Sequence, residues 1–392
     1  MHVVTRLLVL AAFAGPALGA PLVPETVGRT ALPEPQPSWF TMLGRDSSYI
    51  FDAADGEMKG LISHSGFSPA IVSLPSRKEA YVVESYYSRG VTGTRSDVLT
   101  IVNLADLSTK AEIEIPAKAA ALSFRHHIGL LGDERHVVVF NMTPAQSVSI
   151  VDVVERKFVS EIAIPGCAII MPTGARGFLT ICGDGTLQLI RLDESGAEAA
   201  RVRTKPFFVV EEDPVFDRVV QTRDGWLLVS HEGLVREVSV EGDRIAVGEA
   251  WPMLSDEDKT GADDEKGDTS KSKSSGSATE ESWRPGGFQP FTMHRGSSLL
   301  YSLMHKGKVD TQDENGTEIW VFDTERRKRV ARLELPVEAS NILSSQEPVP
   351  RLYVYDKDSK LHIYDGHRLR LLRTIEKPGV NARLLQTLTQ YD

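Results

Sequence analysis

At 392 residues and a formal net charge of -10, the chain lacks the positive surface that nucleic acid or an anionic membrane would require. Its length alone suggests two or three domains, yet short β-rich segments repeat from Tyr49 to the C-terminus and argue for a single repeating architecture.

Residues 1–19 contain Arg6, an apolar stretch from Leu7 to Ala14 and the small-residue sequence Ala17-Leu18-Gly19. So short an apolar run cannot span a bilayer, so the segment reads as a signal peptide and predicts a periplasmic mature protein without membrane insertion. Residues 20–38 are Pro-rich and predict an extended lead-in. Trp39 to Leu43 then predicts a strand.

Hairpins follow. SSYIFDAADGEMKGLIS turns at Asp52, DVLTIVNLADLSTKAEIEIP at Asn103 and SVSIVDVVERKFVSEIAIPG at Asp152. Two weaker copies place Arg191 and Ser239 at the corresponding position, and two stronger ones turn at Asp323 and Asp365. The turn residues recur about every 45 residues with one double-length step, which is the period of a four-stranded propeller blade. The fold expected is all-β: a seven-bladed β-propeller over residues 39–392. The double-length step is accounted for by an insertion and by two strands around Phe288 to Met293 and Leu299 to Met304. The first hairpin lacks an innermost strand and the C-terminal NARLLQTL lacks a hairpin, so the two predict one composite blade that closes the ring and removes its open edges.

Cys167 and Cys182 lie near each other across predicted neighbouring strands; outside the cytoplasm such thiols favour pairing, with two buried free thiols as the alternative. A zinc site lacks further ligands. Phe178 to Gly185 predicts a strand and a Gly-Asp-Gly turn, with no helix after it to make a phosphate site. Residues 256–282 begin Asp256-Glu257-Asp258-Lys259 and continue Ser/Lys/Gly-rich, too polar to bury a core, and predict a disordered surface loop.

Catalytic chemistry is hard to find. His126 and His127 are adjacent and would face opposite sides of a strand, so they cannot share a metal and read as solvated or capping residues. His294 and His305 flank a hairpin, and carboxylates in turns are ordinary for this architecture. Gly-x-Ser-x-Gly, His-Glu-x-x-His and phosphate-loop motifs are absent. No catalytic residue and no metal site is expected in this chain.

Several ordered blocks carry a resemblance: Arg95-Ser96-Asp97-Val98, Asn141 with Ser147 to Val153, Phe178 to Gly185, Leu254 to Lys259 with Trp283 and Pro285-Gly286-Gly287, and His294-Arg295. Leu303-Met304-His305, Gly316 to Asp323 and Arg329 to Arg332 complete them. Together they resemble the heavy subunit of the quinoprotein amine dehydrogenases, the aralkylamine enzyme more than the methylamine enzyme. The resemblance implies a heavy chain with no cofactor of its own, in an α2β2 assembly with a small light chain that carries tryptophan tryptophylquinone and the catalytic Asp. It implies oxidation of a primary amine to aldehyde and ammonia, with electrons passed to an azurin- or amicyanin-like blue-copper protein. Trp39 to Asp52 aligns with the segment whose phenylalanine contributes to the substrate channel, which makes Phe40 the candidate, and the pairing of Cys167 with Cys182 carries over. The insertion before Trp283 departs from the family pattern. The alternative is a free-standing exported propeller that binds a protein or small ligand.

Overall fold

The computed structural model describes residues 31–119, 124–142, 146–259, 281–379 and 381–388. The expected signal peptide at 1–19, most of the lead-in and the body of the insertion lie outside the described residues. From Leu32 on, the chain is one compact unit built almost wholly of antiparallel strands.

Among the described residues, five separate sheets each hold four or more strands in up-and-down order, and the remaining strands form one sheet of eight. Five blades thus stand apart where seven were expected, and the reason is local. The strand Lys328–Ser344 continues without interruption from one four-stranded unit into the next: Lys328 to Glu334 pair with Gly316–Asp323, and Ala339 to Ser344 pair with Arg351–Asp356. The architecture is an all-β propeller.

All seven turn residues occupy one register. Each pairs with the first residue of the strand before it: Asp52 with Trp39, Asn103 with Glu79, Asp152 with His136, Arg191 with Gly177, Ser239 with Gly225, Asp323 with Leu299 and Asp365 with Arg351. In the five stronger copies the side-chain oxygen of the turn residue accepts a backbone N–H two or three residues on, as at Asp152, which accepts from Val154 and Glu155 at 3.0 and 2.9 Å. The residue four further on is then left-handed: Gly56, Leu107, Arg156, Arg327 and Leu369 all have positive φ. Arg191 and Ser239 offer no carboxylate or amide to hold this turn, and their turns place the positive φ elsewhere, at Gly196 and Gly242. Asp and Asn are favoured here because a short side-chain acceptor closes the turn locally.

In the Ile128–Ala163 blade the inner strands are buried on both faces and the fourth is not. Ser147–Asp152 is buried at all six positions, whereas in Lys157–Ala163 only Ile162 is. Blades therefore bury their faces against one another, which accounts for β-branched runs without polar alternation. The composite blade forms as expected, in the order Leu384–Thr387, Trp39–Leu43, Ser47–Asp52, Met58–Ser63. The buried Gln289 amide satisfies the inner edge of the C-terminal strand, donating to Leu385 O at 3.0 Å and accepting from Leu385 N at 2.9 Å.

Candidate functional site

In a four-stranded meander, the connections between second and third strands and those between blades emerge at one end, and the Asp-bearing turns emerge at the other. The turn end is short and uniform; the connection end is long and varied. It carries exposed apolar side chains: Val91 at 72 % exposure, Val209 at 49 %, Met142 at 47 % and Val309 at 42 %. These come from four separate connections and offer apolar contact at this end, while Val154 and Val349 are exposed at the turn end.

Buried polar networks hold those connections. Lys118 is wholly buried and donates to the carbonyls of Phe67, Ser68 and Ala119 at 2.9, 3.0 and 2.9 Å, joining the connections on either side of the Ala70–Ile115 blade. Arg95 pairs with Asp97 at 2.7 Å and donates to Lys118 O at 2.6 Å. Its neighbour Glu84, also buried, accepts from Ser65 N at 3.0 Å and from the Tyr86 hydroxyl at 2.6 Å. A buried charge costs several kcal/mol when one partner is removed, so these groups fix the loops firmly.

At this end Phe124 and Phe288, each a few residues before the innermost strand of its blade, bring their rings to 6.4 Å, nearly parallel. The Arg218 guanidinium carbon lies 5.1 and 5.5 Å from the two ring centroids, and its Nε donates to Phe288 O at 2.7 Å. Beside it, a groove of about 490 Å³ runs past Phe216, His231 and Asp313.

Deeper in the channel, Arg125 and Arg295 approach one another from different blades. Burial pushes the Arg125 guanidinium down to about 9, and repulsion from Arg295 adds to this. Arg295 Nη1 donates to Gln221 Oε1 at 3.0 Å. Below lies a cavity of about 190 Å³ with Arg125, His126, Gln221 and Trp226 on one side. Ile71, Leu130 and Pro172 make its apolar wall.

His126 and His127 are neither solvated nor on a strand. They sit in the short 3-10 turn Arg125–His127, and both are buried. The His126 ring meets Trp226 edge-on at 5.5 Å, and His127 packs on Phe124 and Phe140, each at 5.2 Å. Burial holds His126 well below its ordinary value, with Arg125 and His127 adding repulsion, and brings His127 down to about 4. Both are therefore neutral near pH 7. Among the described residues no group of three or more His, Cys, Asp or Glu is placed to hold a metal.

Phe40 has no exposed surface. It stacks on Tyr353 at 4.6 Å and on Phe51 at 5.9 Å, within a core shared by the composite blade and its neighbour. The next residue, Thr41, reaches the central cavity. Cys167 and Cys182 form a disulfide between directly paired positions of adjacent strands, their Cα atoms 3.9 Å apart.

The surface loop expected at 256–282 is ordered at both margins. Asp256–Lys259 is a helical turn whose Asp258 pairs with Arg329 at 2.7 Å, and Ser282 starts the strand Ser282–Pro285; residues 260–280 lie outside the described residues. Trp283 and Trp320 lie 5.3 Å apart there, with Arg332 within 5.2 Å of both rings. The sequence reading missed Arg125, Arg218, Arg295 and Gln221, because their only common property is convergence on the ring axis.

Comparison with known proteins places these features in a family. A β-propeller domain from Myceliophteria thermophila superposes with a TM-score of 0.55 at 10 % identity, covering 87 % of this chain and 98 % of that one. The hydrazine synthase of Kuenenia stuttgartiensis gives 0.52 at 14 %, covering 88 % and 98 %. At such identities these likenesses show the fold alone. The methylamine dehydrogenase heavy chain of Methylophilus methylotrophus is 24 % identical over 337 residues, 84 % of this chain and 77 % of the relative. That of Paracoccus versutus is 24 % identical over 348 residues, 86 % and 75 %. The leaning toward the aralkylamine enzyme gains no support from these relatives. The family model for the methylamine dehydrogenase heavy chain matches residues 35–262 and 270–389, and the chain belongs to that family.

Proposed function

We propose that this chain is the heavy subunit of a periplasmic amine dehydrogenase, a wheel that docks a small light chain on its connection end. The observation that carries this is the family match over nearly the whole propeller, and the exposed Val91, Met142, Val209 and Val309 supply a face of suitable character. We read the eight-stranded sheet as two blades sharing Lys328–Ser344, which with the five separate sheets gives seven.

On this reading the light chain brings tryptophan tryptophylquinone and the catalytic carboxylate, and the quinone supplies the oxidising chemistry that turns a primary amine into aldehyde and ammonia. This chain's residues position and exclude. The carbonyl-bound Lys118 and the Arg95–Asp97 pair hold the connections rigid, Phe124, Arg218 and Phe288 pack together at the connection end, and the stack around Phe40 keeps the closing blade in register. The assembly is α2β2 and electrons leave to an azurin- or amicyanin-like blue-copper protein. The matched sequence blocks favour an aralkyl amine and the family model a methyl amine; a substrate series decides between them.

The test is co-purification from the native source, followed by a visible spectrum for a quinone chromophore and amine-dependent dye reduction with methylamine, butylamine, phenethylamine and tyramine. A Cys-rich small chain that stays with the propeller and turns over one of these amines supports the reading. A propeller that elutes alone and reduces no dye overturns it in favour of a free-standing binding module.

A further inference from the structure

The strands Glu79–Arg89 and Thr92–Asn103 are 11 and 12 residues long, against six in each of His136–Asn141 and Ser147–Asp152, and the surplus lies at the connection end. On the inner side Ala70–Leu74 pairs with this hairpin no further than Val83, and on the outer side Thr109–Ile115 stops at Asp97. The hairpin's own ladder runs on, pairing Tyr86 with Ser96, Tyr87 with Arg95 and Arg89 with Thr92. Residues 86–96 are thus a two-stranded ribbon with no strand on either edge among the described residues, and at about 3.3 Å per residue its tip lies roughly 20 Å past Val83. Two strands alone are marginally stable in water, and this pair is clamped at its root. Ser85 N–H donates to Ser65 Oγ at 3.1 Å, Ser85 Oγ donates to Asp97 Oδ1 at 2.6 Å, and the Tyr87 ring lies 5.0 Å from Phe67. The ribbon's chemistry is set against that of the chain: YYSRGVTGTRS holds two arginines and no carboxylate, on a chain of net charge -10. Arg95 is held by Asp97, but Arg89 is exposed and has no ion pair among the described residues. Val91 at the tip is exposed, and so is Tyr86. Ala70–Leu74 lines the central cavity, so the Tyr86–Arg89 edge is the one turned toward the ring axis.

An unpaired strand edge is a template for another strand, and the side chains along it select which. We propose that residues 86–96 are a docking arm for the light subunit: an extended segment of that subunit adds to the Tyr86–Arg89 edge, packs on Val91 and Tyr86, and sets a carboxylate against Arg89. The assignment rests on the reading of this chain as a heavy subunit, and it goes further by fixing the partner's contact as strand addition and its chemistry as acidic. A ribbon ordered before the partner arrives lowers the cost of docking, and the buried Glu84, Asp97 and Lys118 at its root provide that order.

The test replaces residues 88–94 by a two-residue Asn-Gly turn, which closes Tyr87 against Arg95 and leaves the root untouched. This shortened chain and Arg89→Glu are each produced in the native source in place of the unaltered chain, and the small chain remaining on the purified propeller is measured after washes of rising NaCl. The shortened chain is expected to retain roughly tenfold less small chain than the unaltered one, with circular dichroism and the unfolding midpoint unchanged. Arg89→Glu, a change at an exposed tip, is expected to retain about tenfold less at low salt and to approach the unaltered chain as salt rises, because the contact it removes is electrostatic. Full retention by a folded shortened chain overturns the docking arm and leaves the heavy-subunit reading standing, whereas an unaltered chain that holds no small chain overturns both. Equal retention by Arg89→Glu at low salt overturns the carboxylate contact. A shortened chain that keeps its small chain yet loses self-association overturns the proposal in favour of a second copy as the occupant.

Discussion

Phe40 separates two roles that a single side chain cannot easily fill together. If it is core packing, Phe40→Ala empties a space that is wholly enclosed, bounded by Tyr353 at 4.6 Å, by Phe51 at 5.9 Å and by Met42, Leu343 and Leu385 of the same cluster. Buried Phe-to-Ala changes cost about 3–5 kcal/mol, of which a stacked aromatic pair accounts for about 0.5–1.5. Because Phe40 joins the composite blade to the blade beside it, that loss falls on ring closure, where the chain's two ends meet. Equilibrium urea unfolding of the mature chain, followed by tryptophan fluorescence, measures it directly. Phe40→Leu should cost about 1 kcal/mol, since most of the volume is kept. A double-mutant cycle with Tyr353→Leu should return a coupling of about 1 kcal/mol. A Phe40→Ala chain with an unchanged midpoint, whose complex instead shows an altered KM for amine, would refute the packing argument and restore the residue to the wall of a substrate channel.

The disulfide, the buried histidine and the connection end each carry an expectation of their own. Replacing both Cys167 and Cys182 by Ala should lower stability by about 3 kcal/mol, as loop entropy predicts for a separation of 15 residues, and reducing the unaltered chain should reproduce the shift in unfolding midpoint. His127 titrates in the fold at about 4 against an ordinary 6.5, so between those values the unfolded chain takes up a proton that the folded chain refuses; stability present above pH 6.5 should fall by about 3 kcal/mol on reaching pH 4. His127→Phe, which keeps the packing on Phe124 and Phe140, should flatten that stretch of the stability curve. Val91→Asp and Val209→Asp lie on exposed connections and should leave unfolding midpoints within about 0.5 kcal/mol, yet lower light-chain retention on co-purification by about tenfold or more.

The wheel was legible in the sequence because its signal is local and repeated. Asp52, Asn103, Asp152, Asp323 and Asp365 each close a turn with their own side chain, so residue type and position carry the same message five times. The strands Phe291–His294 and Leu299–Gly307 and the closing pair of Trp39–Leu43 with Leu384–Thr387 followed from that period. What misled was conformational context. His126 and His127 read as solvated when set on a strand, but a 3-10 turn lets both rings point inward to Trp226 and to Phe124 and Phe140. The continuous Lys328–Ser344 strand likewise merges two units that the period alone would part.

The channel arginines show why a site of this kind escapes a linear reading. Arg125, Gln221 and Arg295 belong to three blades, and each alone is an ordinary polar residue at one end of an inner strand, Arg125 before it and Gln221 and Arg295 at its close. They become a cationic cluster only because a closed ring carries every inner strand to one axis. Ring closure and the axial site are therefore coupled: loosening the composite blade at Phe40 or at the Gln289 clasp on Leu385 widens the ring and separates guanidiniums that repel one another.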